Sequence, residues 1–180
     1  MKKLHLIAVL LAAFTTSASA QTPLSYMENG TPLFSFDVPD FWSVRTGGPR
    51  EISDPAIDEL RPVSRLIGMQ PEDDDAAWLG FISPPGVTNF AQGRAYLANI
   101  SNQLARQPEV TGNRSISISG LQAEVITATG RRQGRNVEIT ATMIQLPGAR
   151  VAIGVAVLAT DTDLNYASVL NEVFGSFRAE

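Results

Sequence analysis

Apolar and polar residues alternate most clearly in the last third of the chain. Between residues 137 and 143 the odd positions are apolar and the even positions are Glu or Thr, which is the pattern of a strand with one buried face. Residues 151–157 keep Val and Ile at the odd positions, but Ala and Gly stand between them. A strand that is apolar on both faces is predicted to lie centrally in a sheet, with its small face open to a closely packed helix.

Two segments have the spacing of amphipathic helices. In the first, small or apolar residues recur three and four positions apart, at Phe90, Gly93, Leu97, Ile100 and Leu104. This spacing predicts a helix over 88–106, with Thr88 as its N-cap. The second predicted helix covers 162–174, is capped by residues 161–163 and is ended by Gly175. Its apolar stripe is Ala167, Leu170 and Phe174.

A third, shorter helix is predicted from Asp54 to Leu60. Asp54 is a capping residue, Pro55 suits the first helical position, and Pro62 would end the helix.

Turn residues divide the rest of the chain into short strands. The further predicted strands are 33–38, 41–44, 65–69, 77–82, 115–125 and an edge strand at 176–178. Residues 21–31 have little periodicity and read as a loose lead-in, and 130–134 read as a hairpin loop. The fold class that follows is α+β: a mainly antiparallel β-sheet with the 88–106 and 162–174 helices packed against it.

The first twenty residues predict a signal peptide. Lys2 and Lys3 precede an unbroken apolar run from residue 6 to 14, and Ala18-Ser19-Ala20 has the A-x-A form of a cleavage site. The run is too short to span a membrane, which takes about 20 apolar residues. Cleavage after Ala20 would leave 21–180 as a single α+β domain, periplasmic or secreted, without a membrane span.

Composition becomes informative once this leader is set aside. The whole chain has 14 Lys and Arg, 18 Asp and Glu, one His and no Cys. Both lysines and the histidine lie in the leader, so 21–180 has arginine as its only basic side chain. Nucleophilic systems that need His, Lys or Cys, pyridoxal phosphate chemistry, and zinc, copper or haem sites built on His or Cys are therefore excluded there. We expect no enzyme, and no catalytic residue, cofactor or metal ligand is predicted.

Arg131, Arg132 and Arg135 form the one local cluster of positive charge. They lie in or beside the predicted hairpin loop, where guanidinium groups could bind a phosphate or a carboxylate, although charged turns are also ordinary solvated loops. Because acidic residues exceed basic ones, nucleic acid is not an expected partner. The three arginines are our candidates for an interaction surface.

Two other groups of residues have both a functional and a structural interpretation. The acidic run 72–75 could bind Ca²⁺, but consecutive carboxylates cannot all converge on one ion, which favours a solvated turn. The large aromatic residues could line a ligand pocket or fill the core, and we favour the core. They are Trp42, Trp78, Phe34, Phe36, Phe81 and Phe90.

Three short motifs resemble the PsbP-like α/β/α sandwich family. They are Phe34-x-Phe36-x-Val38-Pro39-x-x-Trp42, Ile118-x-Gly120-x-x-Ala123, and Phe174-Gly175-Ser176-Phe177-Arg178 at the end of the closing helix. The family includes the photosystem subunit PsbP, the Ran-binding Mog-type proteins and small bacterial envelope proteins of the DcrB type. The resemblance implies a fold used for docking to other proteins, without shared catalytic residues.

These observations favour a non-enzymatic accessory or protein-binding domain of the bacterial envelope, with a protein partner that the sequence does not name. Two alternatives stay open. The aromatic-rich strands could belong to a carrier of a small apolar or lipid-like ligand, and paired carboxylates could serve a carboxylate-only hydrolase.

Overall fold

Strands dominate the described part of the chain. The computed structural model describes residues 21–39, 41–47, 50–54, 59–63, 66–162 and 165–180; the predicted leader, residues 1–20, lies outside them. The helices are α1 (Phe90–Leu104) and α2 (Asn165–Gly175). The strands are β1 (Gln21–Glu28), β2 (Thr31–Pro39), β3 (Trp42–Thr46), β4 (Arg50–Asp54), β5 (Glu59–Val63), β6 (Ile67–Pro71), β7 (Ala77–Ile82), β8 (Arg106–Ile118), β9 (Leu121–Arg132), β10 (Arg135–Leu146), β11 (Arg150–Ala159) and β12 (Arg178–Ala179).

The described strands form three antiparallel sheets. The largest has the order β3-β6-β7-β11-β10-β9-β8, the second has the order β1-β2-β12, and β4 pairs with β5. β11 is the central strand of the seven, and residues 151–157 are all buried, as their apolar pattern predicts. An antiparallel sheet with two packed helices is the predicted α+β class.

The seven-stranded sheet has a core on each face. On one face, the three-stranded sheet and α2 enclose Phe34, Phe36, Phe81 and Phe177, which have no exposed surface. The rings of Phe36 and Phe81 stack with their centroids 4.3 Å apart. On the other face, α1 covers Met143 and the valines of β11. The layers are therefore one helix, the large sheet, and then the small sheet together with the second helix.

Two glycines set how closely the helices approach the large sheet. A Cβ on Gly154, at the middle of β11, would lie 2.6 Å from Cε1 of Phe174 in α2. A Cβ on Gly93, in α1, would lie 2.6 Å from the sulfur of Met143 in β10. The prediction that the small face of β11 receives a helix is confirmed.

The N-terminal segment is not the loose lead-in that its sequence suggests. It forms β1, which pairs with β2 from Gln21 opposite Pro39 to Glu28 opposite Thr31. Tyr26 is the one buried residue of β1, so the strand lacks the longer alternation of buried and exposed residues by which β10 is recognised. Backbone pairing with β2 determines its conformation, because strand formation depends more on neighbours than on intrinsic preference.

The short helix predicted from Asp54 to Leu60 is wrong. Asp54 ends β4 and Glu59 begins β5, and these two residues face each other in an antiparallel pair. Residues 55–58 lie outside the described residues. Capping and proline signals are local and weak, and the pairing of two strands overrides them.

The two longer helices are confirmed, with changed details. The N-cap of α1 is Asn89, whose side chain accepts from the backbone N–H of Gln92 at 3.0 Å. Thr88 instead donates its backbone N–H and its hydroxyl to the side-chain oxygen of Gln92. In α2, Leu170 is buried but Ala167 is exposed. Neither described helix is long and apolar enough to cross a membrane.

Candidate functional site

The three arginines predicted as an interaction surface lie at one hairpin tip, but they do not form one site. β9 ends at Arg132 and β10 begins at Arg135, so only Gln133 and Gly134 form the turn. Successive side chains of a strand point to opposite faces of its sheet, which separates Arg131 from Arg132. Arg132 and Arg135 are register partners across the β9–β10 pair and line one small cavity together, but their guanidinium groups have different partners.

Arg135 is held between two carboxylates. Its Nη2 lies 2.9 Å from Oδ1 of Asp161, and its Nη1 lies 3.3 Å from Oδ1 of Asp75. The hydrogen bond from Arg135 holds the pKa of Asp161 below its usual value. Arg135 therefore joins the acidic turn to the segment after β11.

The same two carboxylates are poor candidates for carboxylate-only hydrolysis. A general acid of a glycosidase must keep its proton, which requires a raised pKa, and Asp161 does not suit that role because its pKa is lowered. The adjoining cavity, lined in part by Asp75 and Arg135, has a volume of about 20 Å³. That is room for about one water molecule, not for a sugar ring.

Arg132 lies over the ring of Trp78. Its guanidinium carbon is 5.6 Å from the ring centroid, within the distance at which a cation is attracted to an aromatic face. The indole extends along β7, where a Cβ on Gly80 would overlap it. Trp78 and Arg132 border a groove of about 290 Å³ on one side of α1, with Tyr96 and Ile100 of the helix opposite them.

Arg131 lies opposite an arginine that was not among the predicted interaction residues. Its register partner across the β8–β9 pair is Arg106. Both line a groove of about 890 Å³, here called the polar groove, whose other lining residues are Asn102, Gln107, Gln133 and Gly134. Nη2 of Arg131 donates to the carbonyl oxygen of Gly134 at 3.3 Å.

An apolar trough, here called the α1 groove, runs between α1 and β8–β10. It has a volume of about 400 Å³. Leu97 and Leu104 form its helical wall, and its floor is formed by Ile126, Ala128, Ile139 and Ala141. At its rim Val110 of the edge strand β8 is 67% exposed, the largest exposed fraction among the large apolar side chains of the described residues.

A hydrogen-bonded ion pair lies at one end of the α1 groove. Nη1 of Arg94 is 2.7 Å and 2.8 Å from the two carboxylate oxygens of Glu124, which is 7% exposed. Asn113 donates to Oε1 of the same carboxylate at 2.9 Å. Arg94 and Asn113 also line the groove. Sequence reasoning missed these residues, since Arg94 and Glu124 are 30 positions apart and meet only because α1 crosses the sheet.

The carboxylates of the acidic turn, residues 72–75, contact different partners. The two oxygens of Asp74 accept from the backbone N–H of Ala76 at 2.8 Å and from the hydroxyl of Tyr166 at 3.1 Å, whereas Asp75 pairs with Arg135. No three His, Cys, Asp or Glu residues that the structure describes lie together as a set that could hold a metal ion.

The large aromatic residues mostly fill the core, as predicted. Phe34, Phe36 and Phe81 have no exposed surface, and Trp42 is buried. Trp78 and Phe90 are only partly buried and pack against the core under α1, and Trp78 also borders the groove beside Arg132.

Comparison with known proteins identifies the fold. The chain matches no protein-family model and no curated protein sequence. CyanoP, the cyanobacterial PsbP of Synechocystis sp. PCC 6803, matches with a TM-score of 0.55 at 14% identity, over 94% of this chain and 98% of CyanoP. The fold is PsbP-like.

Two further solved structures have a similar fold. LpqN of Mycobacterium tuberculosis, which is involved in cell envelope biogenesis, matches with a TM-score of 0.50 at 16% identity, over 88% of this chain and 89% of LpqN. A protein of Bacteroides thetaiotaomicron matches with a TM-score of 0.52 at 10% identity, over 82% of this chain and 45% of that protein. At such identities the likeness concerns the fold alone, and it confirms the PsbP-like resemblance at that level.

Proposed function

We propose that residues 21–180 form one exported, non-enzymatic accessory domain that binds a partner protein in the bacterial cell envelope. The observation that carries the proposal is the edge strand β8, which lies beside the open α1 groove. The partner is expected to contribute an extended segment that pairs with β8 and places an apolar side chain in the groove.

The helix α1 is too small to cover the face of the large sheet against which it packs. The 15 residues of α1 span about 22 Å and a width of about 10 Å, whereas seven strands at about 4.8 Å spacing extend over about 30 Å. The apolar floor of the α1 groove is one part of this face left uncovered, and the groove beside Trp78 is another. Uncovered apolar surface rimmed by polar groups is typical of interaction sites.

β8 offers backbone groups as well as apolar surface. It is the last strand of the seven, so the described residues pair with it on one side only. Two register shifts interrupt it, but the pairing is continuous from Gly112 to Ile118. A free edge of this kind is the template to which an extended peptide adds as a further strand.

The cellular location and the absence of catalysis rest on separate support. The leader-like residues 1–20 favour export, with removal after Ala20, and LpqN, which has the same kind of fold, is involved in envelope biogenesis. The lack of His, Lys and Cys in 21–180 supports a non-catalytic role. Membership among the small envelope proteins of the DcrB type stays a prediction from sequence.

Photo-crosslinking in cells tests the partner surface. A photoreactive residue at Val110 is expected to capture one defined protein, whereas the same residue at Ala167, exposed on α2, is expected not to capture it. In chains that carry the photoreactive residue at Ser115, farther along β8, Val110→Asp should abolish capture and Val110→Thr should preserve it. Equal capture from Ala167 and Val110 would contradict the proposal. Amine-reactive reagents would not serve, because 21–180 has no lysine.

A second candidate function is a carrier of a small apolar or lipid-like ligand. The α1 groove favours it, because about 400 Å³ with a mostly apolar lining lies within the usual range of ligand pockets. Native mass spectrometry of the exported protein should then show a co-purified ligand. Ala128→Leu, which fills the groove floor, should remove it, and Thr129→Leu on the neighbouring exposed position should not. A ligand-free wild-type protein would contradict this candidate while leaving the partner surface open to its own test.

A further inference from the structure

The pair of arginines in the polar groove is not used by the proposed partner surface. Arg106 begins β8, and Arg131 lies directly opposite it on β9. Side chains of directly opposed residues in an antiparallel pair project from the same face, and like charges in that position destabilise the pair. The arrangement therefore costs stability unless something neutralises it.

No carboxylate of the described residues neutralises these two arginines. Neither guanidinium has an acidic group within 4.0 Å, whereas the four ion-paired arginines of the described chain all do. Three other arginines of the described side chains have no ion pair: Arg45 and Arg114 face Gly68 and Val125. The third, Arg132, is opposite Arg135, but it lies over the ring of Trp78 and Arg135 is itself ion-paired. The chain has more acidic than basic residues, so an unneutralised pair of cations is unexpected.

The backbone around Arg106 is held in an unusual conformation. Gln107 has a φ of +50°, in the left-handed region, within a register shift between Arg106 and Glu109. The other non-glycine residues with positive φ in the described chain lie in the turns between strands; they are Asn29, Ser119, Gln133 and Ala149. Bulges of this kind redirect side chains and are common beside functional sites.

Close packing holds the Arg106 segment against β9. A Cβ on Gly130 would lie 2.8 Å from Cβ of Ala105 and 3.2 Å from the carbonyl oxygen of Arg106. On the β9 side, the hydrogen bond from Nη2 to the Gly134 carbonyl positions Arg131, while its Nε and Nη1 remain as donors. Both cations are thus placed by the fold beside the same groove.

We propose that the polar groove binds the dianionic group of a phosphate monoester between Arg106 and Arg131. Two guanidinium groups supply two positive charges, and a phosphate monoester carries close to two negative charges and three terminal acceptor oxygens. A carboxylate offers one charge and two oxygens. The groove is far larger than a phosphate, so it has room for the molecule that carries one. The acid excess of the chain disfavours a long polyanion.

NMR titration of the 21–180 chain tests the site. Glycerol phosphate and inorganic phosphate are each added while the side-chain Nε–H signals of arginine are followed. Saturable shifts are expected for Arg106 and Arg131, and Arg106→Gln or Arg131→Gln should weaken binding at least tenfold. The matched control is Arg114→Gln, on the same strand, which should bind as the wild type does. Shifts that never saturate, or an equal loss in Arg114→Gln, would overturn the proposal.

A stability measurement separates a binding role from a structural one. Without phosphate, Arg131→Gln should melt at the same or a higher temperature than the wild type, because it removes a like-charge contact. Phosphate should raise the melting temperature of the wild type and not that of Arg131→Gln. A lower melting temperature of Arg131→Gln without phosphate would indicate a structural arginine and would also overturn the proposal.

Lipid vesicles distinguish the two sources of the phosphate group. Binding to vesicles that contain phosphatidic acid but not to pure phosphatidylcholine vesicles, lost in Arg106→Gln and kept in Arg114→Gln, would assign the groove to a lipid headgroup. Binding of glycerol phosphate without vesicle binding would assign it to a soluble ester. If none of these probes binds, the proposed phosphate site is refuted. The partner-capture experiment at Val110 is independent of every one of these outcomes.

Discussion

Arg150 holds the carboxylate of Glu28 from 122 positions away in the chain. Its Nη2 lies 2.9 Å from one carboxylate oxygen, and its Nη1 donates to the other. Nη2 also lies 3.2 Å from the hydroxyl of Ser83. Because Glu28 ends β1 and Arg150 begins β11, this contact ties the small sheet to the centre of the large one.

The contact predicts a dependence of stability on pH. The hydrogen bond from Arg150 holds the pKa of Glu28 below its ordinary value of 4.5. A lowered folded-state pKa adds stability that is present above pH 4.5 and is lost as the pH falls through the folded-state pKa. Glu28→Gln should therefore reduce the free energy of unfolding by about 1–2 kcal/mol at pH 7, and the difference should shrink below pH 4.

Urea denaturation at pH 7, 5, 4 and 3 measures this dependence. Glu138→Gln is a suitable control, since Glu138 is exposed and has no ion pair within the described residues. A difference between wild type and Glu28→Gln that stays constant down to pH 3 would contradict the prediction.

Gly154→Ala should destabilise the protein through overpacking. The new methyl group would lie 2.6 Å from Phe174 and 2.7 Å from Phe81, both of which belong to or pack against the core under α2. Such crowding costs about 1–3 kcal/mol, measurable as a lower midpoint of urea denaturation. Gly175→Ala, where nothing lies within 4 Å of the added Cβ, should change stability by less than about 0.5 kcal/mol. Equal stability of the two variants would contradict the prediction, because it would mean that α2 shifts to make room for the added methyl group at no cost in free energy.

Arg94→Ala should leave the buried carboxylate of Glu124 with Asn113 as its remaining side-chain donor. The expected loss is about 1–3 kcal/mol, the usual contribution of a hydrogen bond to a charged group. Arg94→Ala combined with Glu124→Gln should recover part of that loss, because no buried charge is then left unpaired. Additive losses in the double variant would show that the two side chains do not interact.

Gly130→Ala should loosen the Arg106 segment from β9. The added methyl group would meet Ala105 at 2.8 Å, so the segment must shift. We expect a loss of about 1–3 kcal/mol in the free energy of unfolding together with weaker phosphate binding. Gly112→Ala is the control for crowding on the same strand, because its Cβ would meet Oγ1 of Thr127 at 2.8 Å and neither residue lines the polar groove; it should leave phosphate affinity unchanged. Unchanged phosphate affinity in Gly130→Ala would contradict the proposal that packing against Gly130 places Arg106 for phosphate binding.

Sequence patterns predicted those elements whose apolar residues recur regularly. β10 and α1 have one apolar, covered face, and β11 is apolar on both faces because it is buried on both. β1 could not be predicted this way, since only one of its eight residues is buried and its pairing with β2 makes it a strand. The prediction of one strand over 115–125 is wrong, because a turn at Ser119 and Gly120 divides this range between the end of β8 and the start of β9. The earlier part of β8 was not predicted, because two register shifts break its alternation between Arg106 and Gly112.

The candidate sites show the same limit. Sequence places Arg131, Arg132 and Arg135 together, but alternation along β9 sends Arg131 to the opposite face from Arg132 and its register partner Arg135. Arg106 joins Arg131 only through a register that depends on the bulge at Gln107, and nothing local in the sequence reveals that bulge. The α1 groove likewise depends on where a helix crosses a sheet.

The order of strands in the large sheet also bears on how it is assembled. β8 to β11 follow one another as consecutive hairpins, so their contacts are local, whereas β7 joins β11 through pairs such as Leu79 with Ala156. Local contacts form faster than distant ones, and we expect pulse-labelling hydrogen exchange to protect β9 and β10 before β7. Until β7 arrives, the most apolar strand of the protein is an unprotected outer edge. That interval is when an unfolded chain, newly exported or diluted from denaturant, is most exposed to aggregation.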